Sequence, residues 1–451
     1  MPILIKKAHI VSMDDQIGDL SSGDVLIDED IIVAVGVDLE SPPGTEIIDA
    51  TEKIMIPGLV NAHLHVWQTV LRGIAVDWTM PDYVKGIHAG LATLFRPNDI
   101  HVSTLVGALN QIDCGTTTVV DWCHNNPTPA HTDAAIAGLE DAGIRALFLH
   151  GSPKPDPKQG QKHYSEVPMP RDEVERLRGG KFSSDDQLVT FGLGILGPGR
   201  STYETSREDM ILARELDLIA SMHVGGGPLL APNGFERLAA ENLITRDANI
   251  VHGNNLSGEV LDIILDAGGN FTITAESEMQ MGFGNPQTGN LRDRGASISI
   301  GTDLESDVSG DMFAAMRVTM QHQRNLDNIA ALDENGQIEP AASISCMDAL
   351  RWATMDGARM ARLDSCIGSI TPKKKADIVL LSKGLNMMPI DDPASAIVLH
   401  AHPGNVDSVI VGGKFRKRDH MLAQENLDSL VGALTASRTR ILTEFKKRLS
   451  A

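Results

Sequence analysis

The chain contains little cysteine. Only four cysteines occur among 451 residues, namely Cys114, Cys123, Cys346 and Cys366. Their spacing includes no Cys-x-x-Cys pair, and so few thiols in so long a chain do not make a disulfide framework. A reducing, cytoplasmic environment is therefore the default expectation for this protein.

Positive charge and long apolar runs are also scarce. Lysine and arginine number 39 against 60 aspartates and glutamates, so the formal net charge is −21. This balance excludes a protein that binds nucleic acid or an anionic membrane through broad positive charge. No apolar run approaches the ~20 residues of a bilayer span, and the N-terminus lacks the apolar segment and cleavage site of an export signal. We expect a large, acidic, soluble enzyme.

The hydrophobic pattern divides the chain into two kinds of structure. Residues 1–57 alternate apolar and polar positions, which predicts a small antiparallel sheet. The same pattern returns over 363–420, so we predict a small discontinuous β-sandwich domain built from both chain ends. Residues 58–362 alternate β-rich runs with longer helical stretches, which is typical of a (β/α)8 TIM barrel, an α/β fold. The amphipathic segment 421–451 predicts a C-terminal helix.

Eight runs in the middle region are predicted as barrel strands, and many are continuously apolar, as strands buried on both faces should be. They are residues 59–65, 116–122, 144–150, 188–196, 218–224, 249–253, 270–276 and 297–303. Residues 151–187 follow the third strand and are rich in proline, lysine and glycine. A lid over the catalytic face and an ordinary solvated insertion both fit this segment.

The strongest local motif is His63-Leu64-His65, at the end of the first barrel strand. Alternate residues of a strand point to the same side, so both imidazoles can reach one ion. Active sites of such barrels lie at the carboxyl ends of the strands, and imidazole is a standard zinc ligand. A second tripeptide, His400-Ala401-His402, falls in the small domain, and we assign it no metal.

Three more metal-competent groups end other predicted strands. His223 ends strand five, His252 ends strand six and Asp303 ends strand eight. Because the carboxyl ends of parallel barrel strands share one rim, these groups and the first His-x-His pair are expected to meet there. The sequence therefore predicts a metal-dependent active site.

These motifs resemble those of the metal-dependent amidohydrolase superfamily. The segments that carry the likeness are PGLVNAHLH, SMHVG, VHG, SIGTD and ATMDGARMARLDSCIGSITPKKKADIVLL. The resemblance spans nearly the whole chain and is greatest to the branch that holds atrazine chlorohydrolase and methylthioadenosine/adenosylhomocysteine deaminase-like aminohydrolases. It implies small-molecule substrates and, by family habit, a homodimer or homotetramer.

The resemblance implies that His63, His65, His223 and Asp303 bind one divalent metal ion, usually zinc. Ligand sets of this kind also accept iron, manganese or cobalt. Binuclear members add a carboxylated lysine or a glutamate at the end of strand four, and residues 195–199 contain neither, which favours a single ion. In this scheme Asp303 also accepts a proton from the attacking water as a catalytic group.

One departure from the branch concerns its proton-transfer group. Its deaminases carry His-x-x-Glu at strand five, but here Val224, Gly225 and Gly226 follow His223. General acid–base catalysis contributes roughly 10²–10⁴-fold, so a substitute is needed. Candidates are Glu276, which we assign a catalytic role, and Glu278 and Glu305, which we expect near the substrate. His252 is expected to polarise the substrate or hold its developing charge.

Further substrate contacts are expected on the same rim. Gln68 occupies a position where the branch often has a substrate-binding glutamine. Trp67 can stack on a planar ring or serve the core, and Trp122 and His124 end strand two. His88 is interpreted as a surface or core residue.

The sequence thus predicts a mononuclear metal-dependent hydrolase that displaces an amino or similar group from a nitrogen heterocycle. A second enzymatic interpretation is hydrolysis of an amide or cyclic-amide C–N bond. A metal-bound homologue without turnover is the third, and the missing strand-five glutamate keeps it open.

Overall fold

The computed structural model describes residues 1–450. Alternation of apolar and polar residues at the amino end produces five strands, as predicted. They are β1 (Ile3–Val11), β2 (Asp19–Asp28), β3 (Ile31–Gly36), β4 (Glu46–Asp49) and β5 (Lys53–Pro57).

The next eight strands form a parallel sheet in which neighbours in sequence are neighbours in space. They are β6 (Leu59–Leu64), β7 (Thr116–Cys123), β8 (Arg145–Gly151), β9 (Val189–Ile195), β10 (Ala220–Val224), β11 (Ala248–His252), β12 (Asn270–Ile273) and β13 (Ile298–Ile300). All eight predicted strands are present, and the TIM-barrel prediction is confirmed. Two of them end three residues before the predicted limit. Strand β12 ends at Ile273 because a helix begins at Ala275, and β13 ends at Ile300.

The barrel closes between β6 and the residues that follow β13. The backbone N–H of His65 donates to the carbonyl of Asp303, and the N–H of Asp303 donates to the carbonyl of His63, both at 2.9 Å. A Cβ atom on Gly301 would lie 2.6 Å from the backbone of His63, so this approach requires glycine. Candidate metal ligands therefore form the seam of the barrel.

Four later strands return to the sheet at the amino end. They are β14 (Ile378–Ser382), β15 (Val406–Val411), β16 (Lys414–Arg418) and β17 (Met421–Leu422). The strand order is β17-β16-β15-β14-β5-β1-β2-β3, with β4 paired to β1. The prediction that both chain ends build one small β unit is confirmed. The sheet is mixed rather than purely antiparallel, because β4 and β5 both run parallel to β1.

Helices cover the barrel and connect its strands. The α-helices of residues 1–450 are α1 (Met80–Tyr83), α2 (Pro97–Asp113), α3 (Pro129–Ala142), α4 (Arg171–Gly179), α5 (Gly197–Arg200), α6 (Tyr203–Glu215), α7 (Gly234–Ala240), α8 (Gly258–Asp266), α9 (Ala275–Met281), α10 (Thr288–Asp293), α11 (Met312–Asn335), α12 (Cys346–Arg351), α13 (Gly357–Met360), α14 (Pro393–Ser395) and α15 (Leu427–Leu449). Short 3₁₀ or π segments are Val66–Leu71, Val84–His88, Leu91–Leu94, Tyr164–Glu166, Trp352–Asp356, Ala396–His400 and Pro403–Asn405. Across residues 1–450, no helix combines the length and apolar character that crossing a membrane requires.

The C-terminal helix α15 packs beside the segment that follows β6. The guanidinium of Arg438 donates to the carbonyls of Val70 and Arg72 at 2.9 and 3.0 Å. Arg440 donates to the carbonyl of Leu94 at 3.1 Å. The helix predicted within 421–451 is therefore present and fixes a loop near the catalytic rim; Ala451 itself lies outside the described residues.

Candidate metal centre

Four donor atoms converge at the carboxyl end of the barrel. The Nε2 atom of His63 lies 3.1 Å from Nε2 of His223 and 3.2 Å from Oδ1 of Asp303. The Nε2 atom of His65 lies 3.3 Å from the same oxygen, and the four donors all lie within 4.8 Å of one another. Two ligands about 2.0–2.1 Å from a tetrahedral ion are roughly 3.3–3.4 Å apart. The donor spacing therefore fits a bound divalent ion.

The protonation states of these groups also suit metal binding. Burial lowers the pKa of His63 to about 3 and that of His223 well below its ordinary value. Burial raises the pKa of the Asp303 carboxyl, but contacts with His63 and His65 outweigh it and hold that pKa well below its usual range. Neutral imidazoles beside a charged carboxylate are the forms that bind a cation.

Neighbouring groups orient the donors. The Nδ1 atom of His65 lies 2.5 Å from the carbonyl oxygen of Trp122, which directs its Nε2 atom toward the cluster. The hydroxyl of Ser277 donates to Oδ2 of Asp303 at 2.8 Å. Asp303 itself has a left-handed backbone with φ of 63°. Such strain in a non-glycine residue costs about 1–3 kcal/mol and is concentrated at functional sites.

His252 faces the cluster from β11. Its Nε2 atom lies 4.0 Å from Oδ2 of Asp303. Its Nδ1 atom lies 2.9 Å from Oγ1 of Thr274 and 3.3 Å from Oε1 of Glu278. Glu278 also accepts hydrogen bonds from the backbone N–H of Thr274 at 2.7 Å and from Asn254 at 3.0 Å. The structure thus places Glu278 behind His252 as its orienting carboxylate, not at the substrate as the sequence predicted.

A cavity opens beside the four donors. Its walls include the predicted residues His65, His124, His223, His252 and Asp303. Sequence reasoning missed Tyr83, His88, Lys154, Tyr164 and Arg200, which also line it. The available signal was position, because all five lie in segments that follow strands one, three and four at the catalytic face. The insertion 151–187 supplies two of them, Lys154 and Tyr164, to the cavity wall.

The two predicted tryptophans lie behind the wall. Trp67 and Trp122 are both 0% exposed. The indole N–H of Trp67 donates to Nδ1 of His124 at 3.0 Å, and the Trp122 ring lies 4.4 Å from that of His223. Neither belongs to the cavity wall within residues 1–450. They support the histidines that face the cavity, so the structure gives no support to direct substrate contact.

Gln68 reaches the cavity only through Tyr83. Its Nε2 group donates to the phenol oxygen of Tyr83 at 2.6 Å, and its Oε1 atom accepts from the hydroxyl of Ser306 at 3.1 Å. Burial raises the pKa of Tyr83 well above its ordinary value. Because the phenol oxygen accepts from Gln68 and keeps its own proton, its O–H group is available to donate elsewhere.

The structure does not bring Glu305 or Glu276 to the cavity. The carboxylate of Glu305 accepts from the guanidinium of Arg72 at 3.0 and 3.1 Å, from Asn110 at 2.8 Å and from Thr69 at 2.7 Å. These hydrogen bonds occupy the Glu305 carboxylate, which is therefore not free to contact a substrate. Burial raises the pKa of Glu276, with a contribution from nearby Asp311, and its Oε2 atom lacks a hydrogen-bond partner within residues 1–450. Glu276 lies on α9 and is not among the described residues of the cavity wall.

The strand-five gap is filled by an aromatic ring. The expected glutamate would stand at Gly226, where a Cβ atom would lie 3.3 Å from Cα and 3.5 Å from the ring of Phe283, so Phe283 occupies the space beside this glycine. An additional carboxyl group near the site is that of Asp307, which accepts a hydrogen bond at 3.4 Å from the same Ser277 hydroxyl that donates to Asp303. Burial, with the charge of Asp303, raises the pKa of Asp307 to about 8. The sequence reasoning did not single out this residue.

The sequence is similar to those of known proteins. Residues 54–416 match the model of the Amidohydrolase family. The chain is 27% identical to the 5′-deoxyadenosine deaminase of Methanothermobacter thermautotrophicus, over 89% of this chain and 91% of that protein. It is 26% identical to the 5-methylthioadenosine/S-adenosylhomocysteine deaminase of Thermococcus kodakarensis, over 92% and 93% respectively.

Two solved structures share the fold. An adenosine deaminase from Xanthomonas campestris with bound zinc superposes with a TM-score of 0.81 at 22% identity, covering 98% of both chains. A mutant atrazine chlorohydrolase from Arthrobacter aurescens, complexed with zinc and atraton, gives a TM-score of 0.85 at 23% identity, covering 97% of this chain and 100% of the other. Because the family match runs from β5 to β16 and includes every candidate ligand, the chain belongs to the amidohydrolase family.

Proposed function

We propose that this protein is a metal-dependent aminohydrolase that removes an amino group from a nitrogen heterocycle of the adenine type. The oxygen of a water molecule forms a bond to the ring carbon, the C–N bond breaks, and the nitrogen leaves as ammonia. The observation that carries this proposal is the convergence of three imidazoles and one carboxylate beside the cavity. The two deaminase relatives support the choice of reaction.

His63, His65, His223 and Asp303 would hold the ion. Three imidazole nitrogens and one carboxylate oxygen suit zinc, although iron, manganese and cobalt accept the same donors. When bound, such an ion lowers the pKa of a coordinated water from about 15.7 toward about 7, which supplies hydroxide at neutral pH. A single ion is proposed because residues 195–199 at the end of strand four contain neither lysine nor glutamate.

Asp303 and His252 move protons in this scheme. Asp303 accepts the proton that the attacking water loses, with its Oδ2 atom fixed by Ser277 at 2.8 Å. His252 is held at Nδ1 by Thr274 and Glu278, which leaves its Nε2 atom to exchange a proton with the substrate.

Tyr83 serves as a hydrogen-bond donor to the substrate. Its hydroxyl accepts from Gln68 and lines the cavity, so its proton is directed to an acceptor there. A ring nitrogen or carbonyl oxygen that gains negative charge during the reaction is such an acceptor. Gln68 acts as a positioning residue for Tyr83.

Product analysis tests the proposal. Metal-replete protein is incubated with amino-substituted purines, pyrimidines and triazines, and free ammonia and ring products are measured. Ammonia with an intact ring supports the proposal. A new carboxylate, formed from amide or cyclic-amide substrates, replaces it with the second candidate function, hydrolysis of an amide C–N bond. Retention of the ion without turnover of any class indicates a non-catalytic homologue.

The remaining properties are also proposals. The acidic net charge of −21 is consistent with a small-molecule substrate and with no nucleic-acid or membrane partner. We propose a homodimer or homotetramer from the family resemblance, and a cytoplasmic location from the scarcity of cysteine. Light scattering on purified protein measures the oligomeric state directly.

A further inference from the structure

We propose that the substrate of this site carries an anionic group, carboxylate or phosphate, which Lys154 and Arg200 bind beside the metal centre. This inference rests on the proposed function and narrows its substrate class. It stands on the placement of two cationic side chains in the cavity wall.

Neither cation has an acidic partner among the described residues. Lys154 and Arg200 line the cavity and are half-buried. Many other basic side chains of this acidic chain form ion pairs, such as Arg72 with Glu305 and Arg145 with Asp377. Within residues 1–450, neither Lys154 nor Arg200 forms an ion pair. A partly buried cation without an anionic partner is unfavourable, so the pair is suited to bind an anion from outside.

The two charges act on the same region of the cavity. The Nζ atom of Lys154 lies 5.5 Å from the centre of the Trp122 ring, which in turn lies 4.4 Å from the ring of His223. Burial and the charge of Arg200 lower the pKa of Lys154 to about 7. The two cations therefore repel each other, and an anion bound by both relieves that repulsion.

The charge balance of the cavity points the same way. Asp303 is the only acidic residue among the described residues of the wall. With a divalent ion bound, this single carboxylate faces the ion and two cationic side chains. The excess positive charge is local, because the whole chain carries −21. A neutral heterocycle leaves it uncompensated, whereas an anionic heterocycle is attracted into the cavity.

Matched compounds test the proposal and separate the two anion sources. Cytosine is compared with 5-carboxycytosine, and adenosine with adenosine 5′-monophosphate, on metal-replete enzyme. We expect kcat/KM at least tenfold higher for the anionic member of one pair. The pair that shows the preference identifies carboxylate or phosphate as the group recognised.

Two variants assign that preference to the named residues. Lys154→Met and Arg200→Met should each reduce the anionic preference about fivefold, mainly through KM, and the double variant should abolish it. Lys158→Met is the matched control, because Lys158 is an exposed lysine of the same segment and should leave the preference intact. Melting temperature and bound metal must stay at wild-type values. Wild-type enzyme without an anionic preference, or a preference that survives in the double variant, overturns the proposal.

A binding measurement separates this inference from the proposed reaction. Calorimetry on the metal-loaded protein compares nicotinate with its neutral amide, nicotinamide, neither of which needs to react. Tighter binding of nicotinate that disappears in the double variant supports the anion site even if no amino compound is deaminated, in which case only the reaction is wrong. Deamination of neutral compounds, with equal affinity for both probes, supports the reaction and overturns the anion site.

Discussion

The chain contains two His-x-His tripeptides with opposite surroundings. His63 and His65 are buried at 0% and 3% exposure at the end of a central barrel strand. His400 and His402 are exposed and lie where a π-helical turn passes into a 3₁₀ turn. The Nδ1 atom of His402 accepts from the backbone N–H of Gly404 at 3.0 Å and so caps that turn.

The contrast shows what makes the first pair a candidate metal site. An extended strand turns alternate rings to one side, burial keeps the imidazole of His63 neutral, and neighbouring strands add His223 and Asp303. The second pair has none of these partners within residues 1–450. The spacing of two histidines is therefore weak information until the backbone and the neighbouring strands are known.

The largest expected effect comes from breaking the first site. Asp303→Ala removes a ligand, the proposed base and the carboxylate next to two imidazoles. Loss of groups that merely orient metal ligands costs about 10–100-fold in affinity or activity, so we expect a larger fall in kcat/KM and loss of bound metal. Metal analysis and steady-state kinetics measure both. Full turnover in this variant would remove Asp303 from the mechanism.

The next largest effect is expected from the two glutamates of α9, Glu278 and Glu276. Glu278→Gln removes the charge that holds Nδ1 of His252, and we expect kcat to fall about 10–100-fold with metal retained. Glu276→Gln is the matched comparison on the same helix, and a smaller fall is expected because Glu276 does not line the cavity. A greater loss in Glu276→Gln would restore the catalytic role that the sequence predicted for it.

A smaller effect concerns Tyr83 and Gln68. Tyr83→Phe removes one hydrogen bond, worth about 0.5–1.5 kcal/mol or roughly 2–13-fold, and the loss should be mainly in kcat if the bond forms to developing charge. Gln68→Met should cost less in the wild-type background and nothing further in Tyr83→Phe. Additive losses in the double variant would show that Gln68 acts independently of Tyr83.

The smallest effect is expected at the second tripeptide. Replacing both His400 and His402 with alanine should leave metal content and kcat/KM unchanged, because both rings are exposed and remote from the cluster. Loss of the turn cap should lower the free energy of unfolding by about 1 kcal/mol, which a denaturant titration measures. Loss of metal in this variant would erase the contrast between the two pairs.

The sequence predicted the site residues whose position depends only on where a barrel strand ends. His63, His223 and Asp303 were found because each ends an apolar strand, and parallel strands of a barrel bring their ends to one rim. Glu278 was placed near the site but in the wrong role, since only the bond to Nδ1 of His252 reveals that it faces that ring. Glu305 was likewise predicted near the substrate, because the sequence does not show that its carboxylate pairs with the guanidinium of Arg72.

Cavity residues in the segments that follow the strands, rather than at the strand ends, were not predicted for the same reason. Tyr83, Lys154 and Arg200 reach the cavity only through the paths of segments that follow the strands. His88 was interpreted as a surface or core residue, but a π-helical segment turns its buried ring to the cavity. Direction along a loop depends on tertiary packing rather than on local periodicity.

The closing seam of the barrel has a consequence for how the molecule assembles. Backbone hydrogen bonds of His63, His65 and Asp303, which would also bind the metal ion, join the two edges of the barrel. An ion held there would bridge the two edges of the barrel, where the last strand, β13, has only three residues. Closure of the barrel and formation of the metal site therefore depend on the same residues, so a substitution that disturbs one is expected to disturb the other.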